Sequence, residues 1–281
     1  MSLRFRDELR IVLRPEQVVL ARIRRELTRR GLKRHMEDRL VIPSDSATGD
    51  DMPWSGALRA IEASLSGFAV RKSHATVILS NHFMRYALVP WNDALSDVKE
   101  EMAYAQHSFG ETYGRDSKAW ELRLCAGRAG VPQMASAVDA RLLADLGQLF
   151  GRSRIGMKSI QPHLMMAYNA CHALLHDRSA WLAIVEQGNL CLALLQEGQW
   201  SWVRTMRIGR DWQEELPRFL EREAFMVNIE NSPSEVYLWA PEHEAVLPVS
   251  DGRWQITQLQ PLRVPAIGPE FDGRFSMYMS E

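Results

Sequence analysis

The sequence predicts an α/β protein of two lobes, each a mixed sheet with flanking helices. Two runs of short apolar strands broken by turns, residues 9–42 and 180–207, head the two halves of the chain. Segments of helical periodicity alternating with further strands follow each run, the pattern of sheets covered by helices. The 281 residues are 46% apolar and 25% charged, enough to bury two cores without disulfide or metal staples.

The elements follow in order. Residues 9–14 and 18–23 read as strands on either side of Pro15-Glu16-Gln17, a turn composition that favours a hairpin. Residues 36–42 read as a third strand ending at Pro43, and the small polar residues of 44–53 as a loop. Trp54, Leu58, Ile61 and Leu65 recur at helical spacing. Strands follow at 75–80 and 83–89, the second closed by Pro90-Trp91. Helices are expected over 95–112 and 135–150, with a strand at 120–126 between them. A strand at 157–160 leads into a helix over 162–176, where proline suits the first turn.

The second half opens like the first, with strands at 180–185, 190–195 and 200–207 joined by turns at 186–189 and 197–199. An amphipathic helix over 212–223 and a strand at 235–239 come next, and the proline-rich tail reads as irregular. The lobes divide at 178/179. The first, 1–178, carries an inserted subdomain around 70–130; the tail of the second, 179–281, is expected to pack back on the first.

Composition excludes more than it assigns. A net charge of −1 gives no global field for nucleic acid or an anionic membrane. Cys125, Cys171 and Cys191 are widely spaced and form no CxxC, which argues against a disulfide framework or structural zinc. No signal-peptide core follows Met1, and no apolar run approaches the length of a membrane span, so the expected location is cytoplasmic.

Phosphate-binding and nucleophile motifs are missing: there is no GxxxxGK[ST], GxGxxG, GxSxG or HExxH. The turn Glu186-Gln187-Gly188-Asn189 is the nearest to a phosphate-accepting loop, and a strand connection of this composition is usually just a hairpin turn. His172 and His176, four apart on a helix, suit one face of a metal site, but no third ligand is evident. Cys171 and His172 are neighbours, and neighbours on a helix diverge by about 100°. The most unusual local feature is the run Arg22, Arg24, Arg25, Arg29, Arg30, Lys33 and Arg34, suited either to anionic partners or to a charged, solvated sheet edge. Trp181, Trp200 and Trp202 read as core, with Trp200 and Trp202 on one strand face.

Two stretches carry a family resemblance. The first runs Ala75-Thr76-Val77-Ile78-Leu79-Ser80-Asn81-His82-Phe83-Met84-Arg85-Tyr86-Ala87-Leu88-Val89-Pro90-Trp91; the second spans 181–209, strand, acid-x-Gly turn, strand, Gly turn, strand, Arg, Gly. Together they resemble the actin-like (ASKHA, ribonuclease H-like) superfamily, and within it the PilM-like, GspL-like and MSHA-pilus cytoplasmic proteins of type IV pilus and type II secretion machines. The resemblance implies a two-lobed actin-like fold over most of the chain.

The departures bear on function. Nucleotide-binding relatives carry an Asp-x-Gly-type turn in each meander and a glycine pair after the late strand. Here the first turn is Arg14-Pro15-Glu16-Gln17, without glycine, and Pro15 has no N–H to donate. The second keeps only Glu186 and Gly188, which the resemblance makes a vestigial phosphate turn. The late strand runs into Ala240-Pro241. The implied role is a scaffold that holds no cofactor, carries no catalytic or metal residues and binds the cytoplasmic tail of an inner-membrane pilus or secretion protein. Membrane association would run through that partner, nucleic acid is not expected, and self-association is left open. Two alternatives stand: an actin-like ATP-binding protein or ATPase with a degenerate site, and a nucleic-acid binder using residues 22–34.

Overall fold

The computed structural model describes residues 8–28, 31–45, 51–68, 73–125, 127–227, 232–241 and 252–259, without the side chains of 25–28, 31–35 and 66. The described residues divide into two compact units, those of 8–83 and 139–166 in the first and those of 84–138 and 167–259 in the second.

In the first unit, strands β1 (Glu8–Leu13), β2 (Gln17–Thr28) and β3 (Gly31–Pro43) form an antiparallel meander. Strands β4 (His74–Leu79) and β8 (Gly156–Pro162) add on parallel, giving the sheet order β3-β2-β1-β4-β8. Every residue of β1 is buried, as expected for a central strand covered on both faces. Helix α1 (Ser55–Phe68) covers the face shared by Leu9 and Arg22: the Arg22 guanidinium lies 5.8 Å from the Phe68 ring centroid. Trp54, just before α1, donates its indole N–H to Asp145 of α3 (Ala140–Arg152) at 2.9 Å, tying the two helices together. The opposite face of β1 holds a buried ion pair, Arg10 Nε to Glu8 Oε1 at 3.1 Å, with Thr76 donating to the same oxygen.

The second unit repeats the topology. Strands β9 (Ala180–Glu186), β10 (Asn189–Gln196) and β11 (Gln199–Arg207) form the meander; β12 (Glu235–Trp239) and β13 (Gln255–Gln258) add on parallel. The order β11-β10-β9-β12-β13 is thus the order of the first sheet read in the same sense. Helix α5 (Trp212–Val227) covers one face, burying Trp212, Leu216 and Leu220 against Trp181, Leu192, Leu194 and Leu238. The same unit holds a three-stranded sheet, β5 (Met84–Val89), β7 (Gln133–Asp139) and β6 (Trp120–Leu124) in the order β5-β7-β6. Helix α2 (Val98–Tyr113) packs Ala105 and Phe109 on it, and the Tyr113 hydroxyl donates to the Tyr86 carbonyl at 2.7 Å.

Three expectations are corrected. The helix expected over 135–150 is strand β7 followed by α3; Met134 to Val138 are all buried in the sheet, where packing overrides alanine's helical preference, and Asp139 caps α3 by accepting from the Arg141 N–H. The tail expected to be irregular contributes β13. Trp200 and Trp202 are not on one face. The ladder shifts between Leu194 and Leu195, so that Trp202 lies opposite Leu194 and Trp200 opposite Leu195. Trp202 packs into the α5-side core, while Trp200 meets Tyr168 of α4 (His163–Leu175) at 4.6 Å between ring centroids. Residues of the proline-rich tail beyond 259 lie outside the described residues.

Candidate functional site

Parallel strands present their carboxyl ends on one edge of a sheet, where α/β proteins take ligands. In the first unit Leu13 pairs with Leu79 and Leu79 with Pro162, so the next residues of the three chains, Arg14, Ser80 and His163, occupy neighbouring positions at that edge. The Ser80 N–H donates to the Leu13 carbonyl at 3.0 Å. Ser80 Oγ lies 2.9 Å from His82 Nδ1 and accepts from the His82 N–H, and Asn81 Oδ1 accepts from the Leu164 N–H at the start of α4. Arg14, Ser80, Asn81 and His163 are all buried. Residues 14–17 close the hairpin: the Arg14 N–H donates to the Gln17 carbonyl at 3.1 Å. The edge therefore holds a buried arginine where β1 ends, followed by a proline without an N–H. A phosphate-cradling loop needs the opposite, a glycine-rich run of free N–H donors.

In the second unit the corresponding turn is Gln187-Gly188, between the paired residues Glu186 and Asn189. Gly188 has φ +73°, which favours glycine, and its carbonyl accepts from the Ile208 N–H at 3.2 Å. Glu186 is buried. The turn is a hairpin anchored to the exit of β11 by that bond. Trp239, the last residue of β12, and the two that follow, Ala240 and Pro241, are buried.

The remaining sequence candidates separate. The Cys171 Sγ donates back to the Ala167 carbonyl at 3.1 Å, and burial pushes its thiol up to about 12, while His172 is exposed; no nucleophile–base pair forms. The His172 and His176 rings lie 5.4 Å apart in an edge arrangement, with His176 Nδ1 2.8 Å from Asp177 Oδ2. Among the described residues no group of three or more His, Cys, Asp or Glu is placed to hold a metal. In the cationic run, Arg22 pairs with Glu37 and Asp38, and Arg24 with Glu37. Arg29 and Arg30, and the side chains of Arg25, Lys33 and Arg34, lie outside the described residues. No helix among the described residues is long and apolar enough to cross a membrane.

Sequence reasoning missed the row Arg14, Ser80, His163. Each follows the last residue of a strand, but only the parallel pairing of β1, β4 and β8 sets the three side by side.

No family model matches the sequence, and no curated protein matches it. Solved structures do. A PilM–PilN type IV pilus biogenesis complex matches with TM-score 0.60 and 17% identity over 84% of this chain and 81% of that one. The cytoplasmic domain of EpsL, an inner-membrane component of the type II secretion system of Vibrio cholerae, matches with TM-score 0.55 and 10% identity over 90% of each chain. A Bacteroides thetaiotaomicron protein with an actin-like ATPase fold matches with TM-score 0.53 and 7% identity over 84% of this chain and 82% of that one. The doubled sheet order and these likenesses together establish that the chain has the actin-like fold.

Proposed function

We propose that this chain is a cytoplasmic actin-like assembly component of a type IV pilus or type II secretion-like machine, and that it binds the cytoplasmic segment of an inner-membrane partner without hydrolysing ATP. The observation that carries the second half of this reading is the exit of β1. A buried Arg14 followed by Pro15 stands where a nucleotide-binding relative offers an acid and a glycine-rich turn. The buried Trp239-Ala240-Pro241 exit of β12 points the same way, and Glu186 and Gly188 are then the remains of a phosphate turn. The pilus and secretion assignment is supported by the fold shared with PilM and the EpsL cytoplasmic domain. Residues 1–178 and 179–281 are the two lobes in this reading, and residence at the membrane face comes through the partner.

The test is binding of the labelled cytoplasmic segment of the membrane protein from the same machine, followed by fluorescence anisotropy with the full chain. The expected result is saturable binding without nucleotide. Binding that requires Mg-ATP, or no binding at all, removes the proposal.

A further inference from the structure

Helix α5 meets strand β11 at a buried carboxylate. The fully buried Glu223 accepts from Arg204 Nη1 of β11 at 3.3 Å, and from Arg222 Nε of its own helix at 3.1 Å. A buried ion pair does little for stability, since apolar residues of the same volume often serve as well. This one orients two guanidinium groups that stay half exposed. Among the described residues Arg204 Nε and Nη2 and Arg222 Nη1 have no partner, so their N–H groups are open to an outside acceptor.

Apolar groups surround the two arginines. Phe219, Arg222 and Met226 share one face of α5. The Arg222 guanidinium lies 5.5 Å from the Phe219 ring centroid and reaches Met206 Sδ of β11 at 3.4 Å. Phe225 and Met226 are 83% and 58% exposed. Adaptable methionine and exposed aromatic groups beside oriented arginines have the composition of a recognition surface.

The charges select the occupant. Two arginines against Glu223 leave the cluster one net positive charge, and on the exposed stripe of α5 Arg218 stands between Glu214 and Glu221. An anionic membrane or a duplex attracts through many cations acting together, which this surface lacks. A carboxylate at hydrogen-bond range suits it, because a guanidinium fork binds one directionally. The cytoplasmic segment of a membrane protein suits it poorly, because such segments are rich in Lys and Arg.

We propose that Arg204, Arg222, Phe225 and Met226 form a docking surface for a second protein, which presents an amphipathic segment carrying Asp or Glu beside large apolar side chains. Glu223 is the positioning residue that holds the arginines ready. This surface is independent of the assembly reading above.

The test is fluorescence anisotropy of the full chain with two labelled helical peptides. One has leucines at i, i+3, i+4 and i+7 flanked by glutamates; the other replaces each glutamate with lysine. The expected result is saturable binding of the glutamate peptide, weakening with salt, and binding of the lysine peptide weaker by about tenfold or more. Arg204→Gln and Arg222→Gln should each lower affinity about tenfold, the loss of a hydrogen bond to a charged group. Phe225→Ser and Met226→Ser should lower it without changing the salt dependence. Glu223→Gln removes a negative charge from the surface and should still weaken binding, because the arginines lose their anchor; tighter binding removes the positioning role. Circular dichroism checks that the variants fold. No binding of the glutamate peptide, equal binding of both peptides, or affinity unchanged in the arginine and Phe225 variants overturns the proposal. Retention on phosphatidylglycerol vesicles that is lost in Arg222→Gln assigns the surface to lipid and overturns it too. Each of these failures leaves the binding of the inner-membrane segment untouched.

Discussion

Arg204 on β11 lies 3.3 Å from both carboxylate oxygens of Glu223 on α5, and the Glu223 side chain is fully buried. Arg222 approaches the same carboxylate at 3.0 Å, so one buried anion is held by two half-exposed cations. The costs of breaking this cluster are unequal. Arg204→Met with Arg222→Met leaves a carboxylate buried alone and should cost about 3–5 kcal/mol. Glu223→Leu leaves two cations that water can solvate and should cost clearly less. Urea denaturation midpoints of the variants measure the difference.

Gly188 and Gly198 both have positive φ, but they should not respond alike to substitution. An alanine Cβ at Gly188 meets nothing within 4 Å, so Gly188→Ala carries only the left-handed backbone cost of about 1–2 kcal/mol. At Gly198 the Cβ comes within 2.8 Å of the Asp177 backbone N, so Gly198→Ala adds a clash to the same cost. Thermal denaturation should rank Gly198→Ala well below Gly188→Ala. Such a ranking would also mark Gly188 as a hairpin requirement.

The thiols give a pH dependence at the alkaline end. Burial raises Cys171 from its ordinary 9.0 to about 12 and raises Cys191 as well. A raised folded value means the unfolded thiol ionises first, so stability contributed by these groups is present below pH 9 and is lost as pH rises toward the folded values. Stability should therefore fall above about pH 9, and less so in Cys171→Ala. With a thiol reagent near neutral pH, half-buried Cys125 should react first and Cys171 and Cys191 only on unfolding.

At the acid end, the Arg141 side chain bonded to Asp139 holds that carboxyl below its ordinary 3.8. A depressed folded value contributes stability above the ordinary carboxylate range, lost as pH falls through the folded value. Asp139 also caps α3, so Asp139→Ala should cost about 1 kcal/mol at neutral pH and show a smaller further loss toward pH 3. Melting temperature against pH checks both.

The heads of both meanders were legible because apolar runs such as Ile11-Val12-Leu13 and Leu192-Ala193-Leu194 are bounded by turn residues. The alanine-rich run before Asp139 was misread because its strand state comes from packing under α2. A β-bulge leaves no trace in periodicity, so the opposite faces of Trp200 and Trp202 were hidden. The row Arg14, Ser80, His163 was not legible for a different reason. One polar residue after an apolar strand looks like any solvent-facing strand end, and only the parallel register sets the three side by side.

The central claim is that this actin-like chain does not grip a nucleoside triphosphate. Isothermal titration of the full chain with Mg-ATP measures it most directly. The account predicts no binding tighter than about 1 mM, a free energy no more favourable than about −4 kcal/mol. Micromolar affinity that disappears with EDTA would contradict it.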